Sequence, residues 1–314
     1  MSDNPMTRPR YTGIASFMRA PIADTWDGID IGLIGVPFDG GVTNRPGTRH
    51  GPRAVRDASS LIRIYNQATG VKPHELCTVK DLGDCIIEKP WALESALAAI
   101  ETYFQRVHAA GIVPLTCGGD HAISLPILRA IAKDRPVALV QIDAHADTGD
   151  AYFGSRYHHG APFRRAVEEG LLEPQRSVQI GIRGSLNDLD MWKFSTDVGM
   201  RLVQIEQAYE LGVKGCIDLI REKVGNGPVY LSFDIDSLDP AYAPGTGTPE
   251  VGGFTTLEAQ MILRGLRGMD LVGADMVEVS PPFDTGGITA MAGANILFEQ
   301  LCLLAEARAA RQSP

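Results

Sequence analysis

Short apolar segments recur along the chain, separated by stretches in which apolar residues follow a helical repeat. The apolar segments lie at residues 29–37, 112–117, 137–142, 178–182, 202–205, 229–233 and 271–277, and they read as strands buried on both faces. Apolar residues three and four positions apart predict helices near residues 52–61, 92–110, 125–131, 162–169, 215–223, 256–266 and 290–309. Strands that alternate with helices favour a mainly parallel sheet covered on both faces. The sequence therefore predicts an α/β fold, a three-layer α/β/α sandwich.

The first 28 residues lack this pattern. They carry Pro5, Pro9 and Pro21 and no long periodic stretch. We therefore expect an N-terminal arm, residues 1–28, that lies over the domain or over a neighbouring subunit. No Gly/Ser-rich linker, low-complexity tract or internal repeat divides the remainder, so residues 29–314 are predicted to form a single domain.

Composition narrows the possible functions. The 314 residues are 44% hydrophobic and 21% charged, with a net charge of −9, which is typical of a protein with a large core and argues against a nucleic-acid partner. No apolar run reaches about 18 residues and no secretion signal is visible, so we expect no membrane association. The glycines at 38–47 match no phosphate-binding motif, which argues against a nucleotide cofactor. Five scattered cysteines without a C-x-x-C pair favour reduced thiols and a cytoplasmic location; they are Cys77, Cys85, Cys117, Cys216 and Cys302.

Polar residues follow the ends of several predicted strands. The carboxyl ends of parallel strands share one edge of the sheet, where ligands bind, so residues far apart in sequence meet there. The candidate metal ligands at these ends are His121, Asp143, His145, Asp147, Asp234 and Asp236, and Glu278 follows the strand at 271–277. Carboxylates packed together repel one another unless cations intervene, which favours two divalent metals. Oxygen and nitrogen ligands without thiolate favour a hard ion such as Mn²⁺ over structural zinc.

Four motifs resemble the signatures of the ureohydrolases, the arginase/agmatinase family of binuclear manganese hydrolases. They are Gly-Gly-Asp-His at 118–121, Asp-Ala-His-Ala-Asp at 143–147, Ser-Phe-Asp-Ile-Asp-Ser-Leu-Asp-Pro at 232–240 and Glu-Val-Ser-Pro at 278–281. They occur in the family's order, and the resemblance extends over about residues 29–304. Within the family the chain is most similar to the bacterial agmatinase branch, which includes guanidinobutyrase-like and guanidinopropionase-like enzymes.

The resemblance implies an arginase-like fold, a pair of Mn²⁺ ions and a set of ligands for each. One ion falls on His121, Asp143, Asp147 and Asp234. The other falls on Asp143, His145, Asp234 and Asp236, so that Asp143 and Asp234 bridge the pair. The resemblance also implies a homotrimer or a homohexamer.

The reaction that the resemblance implies is the hydrolysis of a guanidino compound to urea and an amine. Two metals lower the pKa of a bridging water, and the resulting hydroxide attacks the guanidinium carbon. Asp147 would steady the nucleophile and pass a proton to the leaving amine, while Glu278 would pair with the planar guanidinium. His159 matches the family's proton-shuttle histidine, and His158 is its rival for that role. Thr248 matches a family residue that lines the guanidinium pocket.

The choice of substrate depends on residues outside these motifs. Arginases hold the amino-acid end of arginine with an Asn and an Asp, and the corresponding positions here are Gly149 and Leu186. A substrate without that head is therefore favoured: guanidinobutyrate or guanidinopropionate ahead of agmatine, because the segment 156–160 and Asn44 resemble the guanidino-acid enzymes. The candidates for binding the carboxylate of a guanidino acid are Asn44, Arg45, Arg49, Arg156 and Tyr157. His158, in the same segment, is a further candidate for substrate binding.

Three other functions remain open alongside a guanidino substrate. A formiminoglutamate hydrolase would use the same metals and release formamide in place of urea. A non-catalytic metal-binding scaffold or regulatory subunit would be expected to have lost a ligand, and none of the six is missing. A deacetylase-like metal hydrolase has a related fold but a different, mononuclear ligand set.

Overall fold

The central sheet contains eight strands in the part of the chain that the computed structural model describes, residues 7–186 and 190–312. In chain order the strands are β1 Ile31–Gly35, β2 Val79–Asp84, β3 Val113–Cys117, β4 Ala138–Ile142, β5 Val178–Ile182, β6 Arg201–Gln204, β7 Pro228–Asp234 and β8 Asp270–Val277. Across the sheet they lie in the order β2-β1-β3-β8-β7-β4-β5-β6, and every neighbouring pair is parallel. The predicted parallel sheet is confirmed.

Helices cover both faces of this sheet. They are α1 Gly51–Ala58, α2 Pro73–Leu76, α3 Leu93–Ala109, α4 Ser124–Ile131, α5 Pro162–Glu168, α6 Asp190–Asp197, α7 Ile205–Val224, α8 Thr256–Arg264 and α9 Ile288–Gln312. Apolar residues of α1, α7, α8 and α9 belong to one buried cluster, and those of α3, α4 and α5 belong to a second cluster. Two hydrophobic layers separated by a sheet are the three-layer α/β/α sandwich that the sequence predicts.

Three elements were not predicted, among them helix α2, whose four residues are too few to show a helical repeat. Strand β2 lies at the edge of the sheet, and its run is interrupted by Lys80, Asp81 and Asp84. An edge strand buries only part of its surface, so it lacks the continuous apolar run by which central parallel strands are recognised. Helix α6 is short and mixes polar with apolar residues, which gives a weak helical signal.

The segment before β1 is anchored to the edge of the sheet. Phe17 and Met18 are buried in the cluster that contains α1 and α9, and the Phe17 amide donates a 2.8 Å hydrogen bond to Asp81 on β2. The guanidinium of Arg56 lies 4.2 Å from the Phe17 ring centroid and pairs with Asp81 and Asp84. The division into an arm of residues 1–28 and a domain of residues 29–314 stays a prediction.

Helix α9 is long and apolar enough to cross a membrane by length and composition alone. Of its most apolar window, 78% is buried inside the domain, against β8 and α1. A core helix passes the same test of composition, so the apolar character of α9 follows from its burial between other elements.

Replacing Arg56 with methionine is expected to lower the free energy of unfolding by about 3 kcal/mol, because Asp81 is left buried without its ion-pair partner. The side chain of Asp81 is 3% exposed. Its carboxylate accepts hydrogen bonds from Nε and Nη2 of Arg56, at 3.1 and 3.2 Å. Urea denaturation measures the change. The matched control is Arg267→Met, whose pair with Glu306 is partly exposed and for which a loss below about 1 kcal/mol is expected. Equal losses in the two variants would contradict a structural role for the buried pair.

Candidate active site

Four adjacent strands end at one edge of the sheet with polar side chains. Strands β3, β8, β7 and β4 are neighbours in that order, so their carboxyl ends lie side by side. The polar residues at or after the ends of these strands are His121, Glu278, Asp234 with Asp236, and Asp143 with His145 and Asp147. The fold thus brings all seven candidate residues to the same edge.

The first group of potential ligands surrounds His121. Its Nδ1 lies 3.2 Å from Asp143 Oδ2, 2.9 Å from Asp147 Oδ2 and 3.2 Å from Asp234 Oδ2. Ligand atoms of His121, Asp143 and Asp234 all lie within 4.8 Å of one another, which is close enough to share one metal ion. All three residues are buried.

Hydrogen bonding at the far side of the His121 ring fixes its tautomer. The Ser232 hydroxyl donates to Asp275 Oδ1 at 2.7 Å, so Ser232 Oγ accepts the hydrogen of His121 Nε2 at 2.8 Å. In the neutral ring Nδ1 then carries no hydrogen and keeps a free lone pair, and it makes no hydrogen bond within the described residues. This is the state in which an imidazole nitrogen binds a metal.

The second group of potential ligands contains Asp143, His145 and Asp236, which again lie within 4.8 Å of one another. His145 Nδ1 lies 3.1 Å from Asp236 Oδ2 and 3.7 Å from Asp143 Oδ1. The His145 side chain is 32% exposed, so this group is open on one side, whereas the first group is enclosed. Asp143 belongs to both groups, with Oδ2 toward His121 and Oδ1 toward His145.

The carboxylates of the two groups repel one another. Burial, together with the charges of Asp147 and Asp236, raises the pKa of Asp143 to about 7. Burial and the charges of Asp236 and Asp143 raise the pKa of Asp234 well above its usual value. The opposite shift occurs at Asp236, where burial is outweighed by His145 and the pKa falls to about 2.

The two imidazoles show the complementary effect. Burial lowers the pKa of His121, but Asp143, Asp147 and Asp234 outweigh it and raise that pKa well above its usual value. For His145 the carboxylate of Asp236 likewise outweighs burial and raises the pKa. The buried cluster therefore favours bound positive charge, which fits a pair of divalent cations. A cation that displaces the proton of His121 would bind the Nδ1 lone pair of the neutral ring.

Two residues at this edge adopt left-handed backbone conformations. Asp147 has φ 52° and Glu278 has φ 65°, in a region that side chains other than glycine avoid. Such strain costs about 1–3 kcal/mol per residue and persists where the surrounding structure imposes it, which is common in active sites. In these conformations Asp147 Oδ2 lies 2.9 Å from His121 Nδ1, and Glu278 Oε1 accepts the His121 backbone N–H.

Glu278 presents one carboxylate oxygen without a partner. Its Oε1 accepts the His121 backbone N–H at 2.9 Å and lies 2.9 Å from His159 Nδ1. Its Oε2 is buried and has no hydrogen-bond partner within the described residues. The Oε2 atom faces Gly247, since a Cβ built on that glycine would lie 3.5 Å from it. A buried carboxylate oxygen in this state is ready to receive a donor from a ligand.

The two adjacent histidines, His158 and His159, are held differently. His159 lies between Glu278 and Thr43, whose hydroxyl is 2.9 Å from Nε2. Burial lowers the pKa of His159, but Glu278 outweighs this and raises it to about 9. His158 instead accepts the Gly160 N–H on Nδ1 at 3.2 Å, and burial lowers its pKa. Of the two rings, only that of His159 contacts Glu278.

A cavity of about 160 Å³ lies against both groups. The described residues that line it are Thr43, His145, Ala146, Asp147, Thr148, Gly149, Tyr152, His158, His159, Gly160, Arg183, Leu186, Trp192, Asp234 and Thr248. Potential metal ligands thus form part of its wall, together with two aromatic side chains. The cavity gives a small molecule access to these lining side chains. Glu278 does not itself line the cavity and is joined to its wall through His159.

Comparison with known proteins decides the family. The sequence model of the arginase family matches residues 29–302. Guanidinopropionase from Pseudomonas aeruginosa is 55% identical over 302 residues, which cover 96% of this chain and 95% of that protein. The chain belongs to the arginase family. A guanidinobutyrase of the same organism is 51% identical, with 94% of each chain covered.

The arginase fold is confirmed by a solved structure. Proclavaminate amidinohydrolase from Streptomyces clavuligerus superimposes with a TM-score of 0.92 at 42% identity, covering 96% of this chain and all of that chain (100%). The arginase family is a family of metal-dependent hydrolases of carbon–nitrogen bonds, so the predicted enzyme class is confirmed. In this arginase-family chain the two His/Asp groups are the candidate metal-binding residues.

The six predicted metal ligands lie together in this arginase-family chain. The structure places Asp143 in both groups, as a bridging ligand requires. Asp234 is grouped only with His121 and Asp143, and Asp147 approaches His121 without belonging to either group. The assignment of these residues to two ions, including a bridging role for Asp234, stays a prediction.

Three residues predicted to bind substrate do not line the cavity. The Tyr157 ring packs against the hydrophobic cluster, 5.7 Å from the Arg129 guanidinium. Arg49 is paired with the buried carboxylate of Asp39 and lies over the Trp91 ring at 4.9 Å. Asn44 also lies outside the lining, although its neighbour Thr43 belongs to it. Their roles in substrate binding stay predictions. Loop residues have no fixed periodicity from which the direction of a side chain can be read.

The two other arginines proposed for the carboxylate also have different partners. Arg156 bonds to Glu168 at 2.7 Å on the surface, and the Arg45 guanidinium lies 5.1 Å from the centroid of the Phe283 ring. Thr248 and His158 do line the cavity, and the Thr248 hydroxyl is 3.4 Å from Asp236 Oδ2. Their roles in substrate binding stay predictions.

Sequence reasoning missed several residues of the cavity wall. Thr43, Tyr152, Arg183 and Trp192 all line it. Tyr152 lies in the same loop as Tyr157, and nothing in the sequence distinguishes which of the two tyrosines faces the cavity. Arg183 directly follows β5 at the edge that carries the ligands, and that position was a signal that could have identified it.

Proposed function

We propose that this chain hydrolyses a linear guanidino acid, guanidinobutyrate or guanidinopropionate, to urea and an amine with a pair of Mn²⁺ ions. The observation that carries the proposal is the unpartnered Oε2 of Glu278 beside two His/Asp groups. A guanidinium is the planar cation that a carboxylate recognises best, through charge-assisted hydrogen bonds. Relatives named guanidinopropionase and guanidinobutyrase, 55% and 51% identical, support the guanidino acids.

The two groups of potential metal ligands would hold the cations that activate the attacking water. When bound, a pair of divalent cations supplies Lewis-acid activation of a water molecule near neutral pH. His121, Asp143, Asp147 and Asp234 would hold one cation. Asp143, His145, Asp234 and Asp236 would hold the other.

The remaining side chains bind the substrate and move protons. Glu278 orients the guanidinium, and its Oε1 is fixed by the His121 amide and by His159, so that Oε2 alone is left for the substrate. Asp147 lines the cavity next to the metal groups and carries a proton from the nucleophile to the leaving amine. His159 exchanges protons with solvent across the cavity wall, where its Nδ1 is held by Glu278.

The charges of the cavity wall favour a guanidino acid over agmatine. Among the lining residues that the structure describes, the carboxylates are Asp147 and Asp234, and both belong to the neighbourhood of His121. The described residues that line the cavity thus include no further carboxylate for the distal ammonium of agmatine. Arg183 also lines the cavity. Within the described residues its guanidinium donates to backbone carbonyls and pairs with no carboxylate, so its positive charge favours an anionic end of the substrate.

Urea release in the presence of Mn²⁺ tests the proposal across 4-guanidinobutyrate, 3-guanidinopropionate, agmatine and arginine at equal concentration. We expect the highest kcat/KM for one of the guanidino acids, because the wall supplies a cation and lacks a free carboxylate. Agmatine as the preferred substrate would overturn the claim that the charges of the cavity wall favour a guanidino acid. Preference for arginine would overturn the inference that Gly149 and Leu186 disfavour that substrate. Release of formamide from formiminoglutamate would show that the protein is a formiminoglutamate hydrolase.

Assembly and location complete the proposal. We propose a homotrimer or a homohexamer, which the family resemblance implies, and a cytoplasmic location, which the reduced cysteines favour. Mass photometry of the purified protein distinguishes the two assemblies from a monomer.

A further inference from the structure

Two fully buried glutamines lie inside the sheet directly behind the metal groups. Gln141 on β4 and Gln179 on β5 occupy registered positions on neighbouring strands, and both are 0% exposed. They interrupt strands whose other positions are apolar or Gly. A buried amide is costly unless its donors and acceptor are satisfied, so a pair of them in the core requires a reason.

The two amides are joined head to tail. Gln179 Nε2 donates to Gln141 Oε1 at 2.5 Å, and Gln141 Nε2 donates to Asp143 Oδ2 at 2.7 Å. Each amide also donates to the loop that carries the ligands, Gln141 to the His145 carbonyl at 3.1 Å and Gln179 to the Ala146 carbonyl. The chain of donors therefore ends on the carboxylate that belongs to both metal groups.

The orientation of both amides is forced by what they face. A carboxylate and a backbone carbonyl only accept hydrogen bonds, so Gln141 must turn its NH₂ toward Asp143 and His145. Its oxygen then faces Gln179, which must present its own NH₂ there. The Oε1 of Gln179 is left buried without a partner among the described residues, so the pair does not fully satisfy its own hydrogen bonds. Packing alone does not explain a buried pair with an unsatisfied acceptor.

The hydrogen bonds to Asp143 leave one lone pair on each oxygen. Oδ2 accepts from Gln141 and faces His121, while Oδ1 accepts the His145 backbone N–H at 2.6 Å and faces the second group. A carboxylate oxygen has two lone pairs, so one on each side remains for a cation. A single hydrogen bond to each oxygen fixes the plane of the Asp143 carboxylate. The lone pairs that point toward the two groups of potential metal ligands stay available.

We infer that Gln141 and Gln179 are positioning residues, whose amide chain holds Asp143 in the orientation that bridges two cations. The inference rests on the proposed two-metal function. Gln141 acts directly on the Asp143 carboxylate, and Gln179 acts through Gln141 by fixing its amide. Groups that hydrogen-bond to metal ligands in this way are worth about 10–100-fold in metal affinity.

The test is Mn²⁺ affinity, measured by calorimetric titration of metal-free protein, for the variants Gln141→Met, Gln179→Met and the double variant. Methionine keeps the length and volume of glutamine and removes its donors. We expect Gln141→Met to weaken Mn²⁺ binding about 10–100-fold and Gln179→Met to weaken it less. The double variant is expected to resemble Gln141→Met alone, because Gln179 acts through Gln141.

The matched control is Gln300→Met, the same substitution at a residue that is also 0% exposed. Gln300 donates to the Asp275 backbone carbonyl at 2.6 Å, and no hydrogen bond within the described residues joins it to a candidate ligand side chain. Its Mn²⁺ affinity is expected to equal that of the wild type. Equal losses in all variants, or additive losses in the double variant, contradict the amide chain and indicate a general effect on packing.

Metal binding separates this inference from the proposed function. Wild-type protein that binds two Mn²⁺ ions, with variants of unchanged affinity, overturns the amide chain and leaves the proposed function intact. Wild-type protein that binds no Mn²⁺ overturns the proposed function itself. If Gln141→Met does not yield folded protein, Gln179→Met decides alone, since unchanged affinity in that variant contradicts the inference and a loss supports it.

Discussion

Replacing Asp143 with alanine is expected to remove both metal ions and to lower turnover by on the order of 10⁴-fold or more, because metal activation supplies several kcal/mol of transition-state stabilisation. Asp143 is the residue that belongs to both groups of potential ligands, with one oxygen directed at each. Its loss therefore takes a ligand from two sites at once. Metal content per protomer by plasma emission spectroscopy and urea release measure the two effects.

The matched control for Asp143→Ala is Asp81→Ala, which also removes a buried carboxylate. Asp81 anchors the segment around Phe17 and belongs to neither ligand group, so this variant is expected to lose stability and keep its metal content. Two metal ions per protomer retained in Asp143→Ala would show that Asp143 does not bridge. Loss of only one ion would assign Asp143 to a single site.

The edge of the sheet that carries the ligands was predictable because two independent signals coincide there. Strands such as β4 are central, so burial on both faces imposes a continuous apolar run that ends abruptly where Asp143 begins. Parallel pairing then brings such ends together whatever their separation in sequence. The edge strand β2 escaped the same reasoning, because it buries only part of its surface and carries Asp81 in its middle.

The wall of the cavity was not predictable in the same way. Tyr152 and Tyr157 lie in one loop, yet Tyr152 lines the cavity and Tyr157 packs away from it under Arg129. Loop side chains follow no period of two or 3.6, so the sequence does not state which way each one points. Arg49 looked like a free cation in the sequence, and its pairing with Asp39 depends on the path of the whole loop.

The glutamines behind the site illustrate a third case. Gln141 and Gln179 look like isolated polar residues within apolar strands, and their relation appears only with the register of β4 and β5. Strand register between distant segments is a tertiary property, set by packing of the whole sheet. Candidate metal ligands are therefore recognisable in the sequence by residue type, whereas the side chains that hydrogen-bond to them are recognisable only in the folded chain.

Replacing Glu278 with glutamine is expected to keep both metal ions and to lower kcat/KM by on the order of 10²–10³-fold. The Oε1 position receives donors from the His121 amide and from His159 Nδ1, so the amide oxygen of the glutamine takes that position. Its NH₂ then falls at the Oε2 position and meets the donors of the substrate guanidinium. Truncating one partner of a buried charge pair costs about 2–5 kcal/mol, and about 1.4 kcal/mol corresponds to a tenfold change in rate.

Steady-state urea release with the preferred guanidino acid and metal analysis of the same sample measure this prediction together. The matched control is Glu299→Gln, which changes a carboxylate that is equally buried but is bonded to Arg264 and Asn66, away from the ligand groups. That variant is expected to lose stability and keep its kcat/KM. An unchanged kcat/KM in Glu278→Gln with full metal content would remove Glu278 from guanidinium recognition, whereas loss of metal would show that Glu278 acts by holding the backbone of His121. A lower kcat/KM with full metal content would instead link the left-handed conformation of Glu278 to substrate binding.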